Sequence, residues 1–184
     1  MSKPPEVRAA TDDDASAVRR VVTAAYGGER VAQLLDALRE DPVAWLDLAF
    51  VAEDKDGVVA ACAYTRGWLD SPTRLVEVLV LAPLAVRPDR QRDGVGTLLT
   101  KESLRRVGER DEPLVFLEGD PGFFSRLGLV GAHELHVDPP SARIPEPAFQ
   151  VATLTGYDQE TMTGAVVYPD VWWRHDAVGM RPEV

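Results

Sequence analysis

The chain has 184 residues, enough for one ordinary domain, and its 45% hydrophobic and 27% charged content is that of a globular protein rather than a disordered or fibrous one. Thirty acidic against twenty basic residues leave a net charge of −10; that excludes a general nucleic-acid binder and a protein docked on anionic lipid, and favours solubility and amine or cationic ligands. The single cysteine, Cys62, excludes an internal disulfide and fits a reducing, cytoplasmic setting.

The opening MSKPPEVRAATDDD lacks the apolar core of a signal peptide. The longest apolar run, near residues 75–86, is interrupted by Glu77 and Pro83 and is too short for a membrane helix. Glu6–Ala10 reads as a short strand. Thr11 followed by Asp12, Asp13 and Asp14 places a capping hydroxyl and first-turn acids at a helix start. Ala15, Val18, Val22 and Ala25 continue it at helical spacing, and Gly27-Gly28 ends it. Val31, Leu34, Leu35 and Leu38 mark a second amphipathic helix that stops before Pro42.

The period then changes to two. Leu48–Glu53 and Val58–Tyr64 flank Asp54-Lys55-Asp56-Gly57, a hairpin signal. Arg74–Val86 is a third strand rich in Val and Leu. Val95–Val107 is predicted helical, with Leu98 and Leu99 on its inner face. Leu114–Leu117 reads as a buried strand, Gly122–Leu127 as a short helix ended by Gly128, and Leu129–Val137 as a further strand. Pro139, Pro140, Pro145 and Pro147 mark a change of texture. It divides a core, 1–138, from an extension, 139–184, expected to pack on the same domain. That extension carries strand-like Val151–Leu154 and Ala165–Tyr168 and a polar end with Val171-Trp172-Trp173, read as packing or interface residues. The order β-α-α-β-β-β-α-β-α-β, with a C-terminal β extension, is that of a mixed α/β domain.

The chemistry concentrates in Leu84-Ala85-Val86-Arg87-Pro88-Asp89-Arg90-Gln91-Arg92-Asp93-Gly94-Val95-Gly96-Thr97. An apolar strand ends at Val86, a polar loop follows, and Gly94 and Gly96 open an amphipathic helix. Strand, glycine loop and helix N-terminus together present unpaired N–H groups and a positive dipole end, an arrangement suited to phosphate. From Leu84 to Arg110 there are seven basic and four acidic residues, a local +3 in a chain of −10. The P-loop pattern is absent, and G-x-G-x-x-G is incomplete because Leu99 stands where its third glycine belongs.

Gln91-Arg92-Asp93-Gly94-Val95-Gly96 resembles the Gln/Arg-x-x-Gly-x-Gly/Ala hallmark of the GNAT superfamily of N-acetyltransferases. LAPLAVRPDRQRDGVGTLL is similar to that family's fourth strand, pyrophosphate loop and third helix. EGDPGFFSRLGL resembles its fifth strand and following short helix, most like the YhbS-like subgroup, whose C-terminal tail PAFQVATLTG and GAVVYP resemble. The resemblance implies a mostly antiparallel central sheet flanked by helices. It implies acetyl-CoA as co-substrate, with Leu84, Ala85 and Val86 offering backbone groups to the pantetheine arm. Amides from Gln91, Arg92, Asp93, Gly94, Val95, Gly96 and Thr97 would hold the pyrophosphate, with Arg90 and Arg92 adding charge. The acceptor would be the primary amine of a small molecule or peptide, attacking directly in a ternary complex. The chain departs from the family at Phe124, which stands beside the sulfur where a tyrosine is usual and has no proton to give a departing thiolate. Ser125, water or nothing at all would then serve. A CoA-binding interaction domain without turnover is therefore the alternative reading.

Glu118, at the end of a buried-type strand, is the candidate base for the amine proton, and Glu77 its rival. Asp120 before Pro121 reads as a helix cap. His133 and His136 would face opposite sides of a strand, so no metal site is expected. Cys62, without a histidine near it in sequence, reads as a small core side chain. No nucleic-acid or membrane partner is expected, and a homodimer fits the tryptophan-bearing tail.

Overall fold

The computed structural model describes residues 4–179. Nine strands are found among them: β1 (Glu6–Ala9), β2 (Trp45–Asp54), β3 (Gly57–Asp70), β4 (Leu75–Val86), β5 (Leu114–Glu118), β6 (Val130–Gly131), β7 (Val137–Asp138), β8 (Phe149–Thr153) and β9 (Gly164–Val167). They form one sheet whose main path runs β1-β2-β3-β4-β5-β8-β6. The helices are α1 (Ala15–Tyr26), α2 (Arg30–Glu40), α3 (Val95–Val107), α4 (Pro121–Phe124) and α5 (Asp170–Arg174).

Strand alternation sorts the core onto two faces. Val51, Ala61, Ala63 and Ala85 pack with Val18, Val21 and Val22 of α1 and Leu35 of α2. Small alanines on the sheet let α1 lie close. Phe50, Ala60, Cys62, Tyr64 and Leu79 face the other way and pack with Val95 and Leu99 of α3. Leu99 is fully buried, whereas Leu98, one residue and about 100° further round the helix, is 37% exposed. Only one of the two leucines expected inside is there.

The hairpin forms where Asp54-Lys55-Asp56-Gly57 predicts it, with Asp54 opposite Gly57, but both strands run further than the alternation suggests. β3 is 14 residues long and uses its length twice: β2 pairs along it as far as Thr65, and β9 takes over the same edge from Trp68 to Asp70. β8 lies between β5 and β6, antiparallel to both.

Three local expectations change. Thr11–Asp14 is a tight 3₁₀ turn rather than the first turn of α1, because the Asp14 carboxylate folds back to accept the Thr11 N–H at 2.8 Å and pairs with Arg8 at 2.7 Å. Leu129–Val137 is not one strand. Glu134 accepts the Gly131 N–H at 3.0 Å and His136 takes a left-handed conformation (φ 55°), so residues 132–135 coil into a 3₁₀ turn between two-residue strands. His133 sits on that turn, not on a strand. The polar end contains α5, whose Val171 and Trp172 are buried, Trp172 against Tyr168 with ring centroids 5.0 Å apart.

β9 meets β3 tightly at one point. Gly164 has φ 127°, and a Cβ there would overlap the Asp70 carbonyl oxygen. Gly164→Ala is expected to cost about 3 kcal/mol, read as a lowered urea midpoint with unchanged m-value.

Candidate active site

β4 and β5 pair in parallel at only two positions, Leu79 with Val115 and Val80 with Phe116. Beyond Val80 they separate, β4 staying with β3 and β5 with β8. Pro83 contributes to the divergence. It has no N–H for a ladder, and the β3 register slips between Cys62 and Tyr64, which oppose Leu84 and Leu81. The result is a cleft of about 770 Å³ lined by Leu81 to Leu84 and Val86 of β4, the loop after it, Leu117 to Asp120, and α4.

On the cleft edge of β4, the Leu84 carbonyl accepts the Tyr26 hydroxyl at 3.0 Å and the Val86 carbonyl accepts Gln91 Nε2 at 3.0 Å. Residues two apart on a strand turn their backbone groups to the same edge. Leu84 and Val86 thus face the cleft, and Ala85 between them faces β3, opposite Ala61. Ala85 does not offer backbone groups to this cleft.

The loop from Arg87 to Gly94 ends in a left-handed glycine, Gly94 (φ 80°), preceded by a left-handed non-glycine, Arg92 (φ 68°). Turns of this kind direct successive N–H groups into one concavity. The Leu98 N–H bonds to the Gly94 carbonyl, so the N–H groups of Val95, Gly96 and Thr97 precede the first helical bond. Gly96 lets this helix start lie against the end of β4: a Cβ there would meet Val86 at 3.3 Å and Phe123 at 3.7 Å.

On the opposite wall, Asp120 caps α4 by accepting the Gly122 N–H at 2.9 Å. Phe124 is 7% exposed, edge-on to Phe123, and lies so close to Gly119 that a Cβ on that glycine would overlap its ring. Glu118 stands exposed at the mouth of the splay. Desolvation by the surrounding protein pushes its carboxyl up to about 7, opposed only in part by the Gly179 N–H.

A parallel splay, a helix N-terminus of free amides and a carboxylate poised near neutrality form one site. The model of the acetyltransferase (GNAT) domain matches residues 6–129. The chain belongs to the GNAT acetyltransferase family. It is 34% identical over 120 residues to the uncharacterized N-acetyltransferase YjhQ of Escherichia coli, an alignment covering 63% of this chain and 64% of that protein. It is 30% identical over 158 residues to the uncharacterized N-acetyltransferase YhbS of Escherichia coli, covering 84% of this chain and 90% of that one. The crystal structure of YhbS from Escherichia coli in complex with CoA superposes with a TM-score of 0.83 at 26% identity, over 95% of this chain and 94% of that one. A GNAT family acetyltransferase from Brucella melitensis in complex with acetyl-CoA shares the fold, with a TM-score of 0.72 at 24% identity, over 91% and 97% of the two chains.

In this GNAT domain the sequence-derived candidates converge, with exceptions. Leu84, Val86, Gln91, Arg92, Gly94, Gly96, Thr97, Glu118 and Phe124 all line the cleft. Asp93 and Val95 lie in the loop and the first turn of α3, and the Val95 side chain is buried behind the site. Glu77 does not belong to it: its carboxylate accepts Arg66 Nε at 2.8 Å beside a separate surface groove with Arg110 and Glu112. Cys62 is buried, and desolvation pushes its thiol up to about 12, as befits a core side chain. Among the described residues no group of three or more histidines, cysteines and carboxylates is placed to hold a metal, and no helix is long and apolar enough to cross a membrane.

Most of the basic side chains of this segment are not free charges. Arg87 pairs with Asp89 at 2.6 Å, Arg105 and Arg106 with Glu102 at 2.9 Å, Arg110 with Glu112 at 2.6 Å, and Arg90 with Asp54. Arg92 remains as the loop's cation, joined across the cleft by Arg126 of the turn after α4, whose Nε donates to the Gly122 carbonyl at 2.6 Å. Arg126, Tyr26 and the Gly179 amide escape sequence reasoning. Tyr26 is a half-exposed last residue of its helix, and no motif links residue 179 to residue 118.

The raised carboxyl of Glu118 has a stability consequence. Its pKa in the folded chain, about 7, lies above the ordinary 4.5, so between these values the folded state holds a proton that the unfolded state has lost. Stability from this group falls as pH rises through that window. Glu118→Gln is expected to raise Tm more at pH 8 than at pH 4.5, as followed by circular dichroism.

Proposed function

We propose that this GNAT protein transfers the acetyl group of acetyl-CoA to a primary amine by direct attack in a ternary complex. The observation that carries the reading is the free edge of β4, with its cleft-facing groups at Leu84 and Val86, running straight into the amides of Gly94 to Thr97.

The residues fit the co-substrate. Leu84 and Val86 present N–H and C=O groups to a pantetheine arm, which pairs with a strand edge as another strand would. Each carbonyl keeps a second lone pair for the arm beside its bond from Tyr26 or Gln91. The amides of Arg92 to Thr97 carry the pyrophosphate, and Arg92 and Arg126 flank it. At the acyl end, backbone N–H groups of the splayed strand polarise the thioester carbonyl, and fixed geometry supplies the larger part of the rate. Glu118, with a pKa near neutrality, removes the proton of the attacking amine, directly or through a water. The acyl carbon gains the C–N bond and loses the C–S bond, and CoA leaves as thiolate. Phe124 offers it no proton, so solvent protonates it after departure.

The alternative, a CoA-binding domain without turnover, draws its support from the same phenylalanine. The two readings share one prediction and part on another. Gly94→Asp puts a carboxylate where the pyrophosphate must sit, so CoA affinity measured by calorimetry is expected to drop at least tenfold, about 1.4 kcal/mol. If Glu118 is the base, kcat/KM on an amine acceptor rises with pH through an apparent pKa of about 7, and Glu118→Gln removes that limb while leaving CoA affinity intact. Absence of turnover on every amine tested, with CoA still bound, would establish the alternative.

A further inference from the structure

The turn between β2 and β3 and the loop between β4 and α3 are far apart in sequence, yet one side chain joins them. Arg90 is 18% exposed and directs its donors at three acids: Nη2 to Asp54, Nη1 to Asp56 at 3.5 Å and Nε toward Asp93 at 3.9 Å. Asp54 is the anchor. Its side chain is 3% exposed, its Oδ1 accepts the Asp56 N–H at 2.8 Å, and its Oδ2 faces Arg90. That hydrogen bond, followed by the Arg90 guanidinium, holds its carboxyl below the usual range. The same carboxylate thus closes the hairpin turn and grips the loop.

Arg90 is committed on every side to acids, and it does not line the cleft. Its position in the chain gives the contact its meaning. The next residue is Gln91, tied to the Val86 carbonyl, and the one after is Arg92, held at positive φ. The Asp54–Arg90 ion pair on one side and the Gln91 bond on the other thereby clamp the start of the turn that aims the amides of residues 92–97.

We infer that Arg90 is a positioning residue: its ion pairs with Asp54 and Asp56 brace the glycine loop against the β2–β3 turn and so set the affinity for the diphosphate of CoA, without touching it. This rests on the proposed reading of the loop as the pyrophosphate site. The sign of one substitution separates it from a direct role. Asp54→Asn removes a negative charge near an anion site, so Coulomb's law alone tightens binding. A lost brace weakens it.

Calorimetry with CoA on the wild type, Asp54→Asn, Arg90→Gln and the double variant tests this. Each single change is expected to weaken CoA binding about fivefold or more, and the double variant no further than about twofold beyond the weaker single, because both remove one interaction. Hydrogen exchange of the unliganded variants is expected to quicken at the amides of residues 91–97 and to stay unchanged in β3 and β4, a pattern that general destabilisation does not produce. If Asp54→Asn fails to fold, Asp56→Asn, at a more exposed carboxylate, carries the same expectation. Asp54→Asn binding CoA as well as or better than the wild type would overturn the brace, as would Arg90→Gln weakening binding alone. A wild type that does not bind CoA would overturn the reading of the loop instead.

Discussion

Everything at the site depends on how little β4 and β5 share. Two paired positions hold the strands parallel, and the register ends there. Had pairing continued past Val80, the backbone groups of Leu84 and Val86 would be consumed in a ladder, and the cleft would be filled by sheet. A parallel pair in the middle of an otherwise largely antiparallel sheet is the place where separation is least costly, since its slanted bonds are weaker per residue. Each strand keeps a full antiparallel partner on its other side, β3 for β4 and β8 for β5. The sheet remains continuous while one seam opens.

The electrostatics of the cleft are more economical than its composition suggests. Arginines crowd the sequence around the glycine loop, but nearly all are paired with carboxylates nearby, and their work is to hold elements in place. In the proposed reading the anion site is left to backbone amides, the helix dipole and two arginines, Arg92 and Arg126, that line the cleft. That division is consistent with a net charge of −10, since carboxylates are at hand for nearly every arginine of the segment. Glu118 is the one acid of this region whose surroundings push it toward neutrality instead of into an ion pair.

The elements that sequence exposes best are those whose cause is local. The α3 limits follow from the glycines that open it and the apolar spacing, and the observed helix, Val95–Val107, agrees to the residue. The hairpin follows from its Asp-Gly turn. Asp120 as a cap follows from its place before Pro121. What could not be read depends on distant chain segments. The break of Leu129–Val137 is set by one carboxylate folding back on a glycine amide. The orientation of Ala85 away from the cleft follows from strand phase at a bulge. The partners of Arg90 sit in a turn more than thirty residues earlier. A count of charges along the chain cannot see such pairings, and so it overstates the basicity of the loop.

The insertion of β8 between β5 and β6 has a consequence for synthesis. As the chain emerges from the ribosome, β1 to β4 and α1 to α3 can assemble before β5 is made. β5 then has two paired residues on one side and nothing on the other until Phe149–Thr153 follows. During that interval its apolar Leu114–Leu117 presents an unpaired edge, the kind of surface that invites pairing with another nascent chain. The late strand is thus a safeguard as well as a structural member, and the rate at which the chain from Glu118 to Thr153 is delivered sets how long the growing protein stays vulnerable to aggregation.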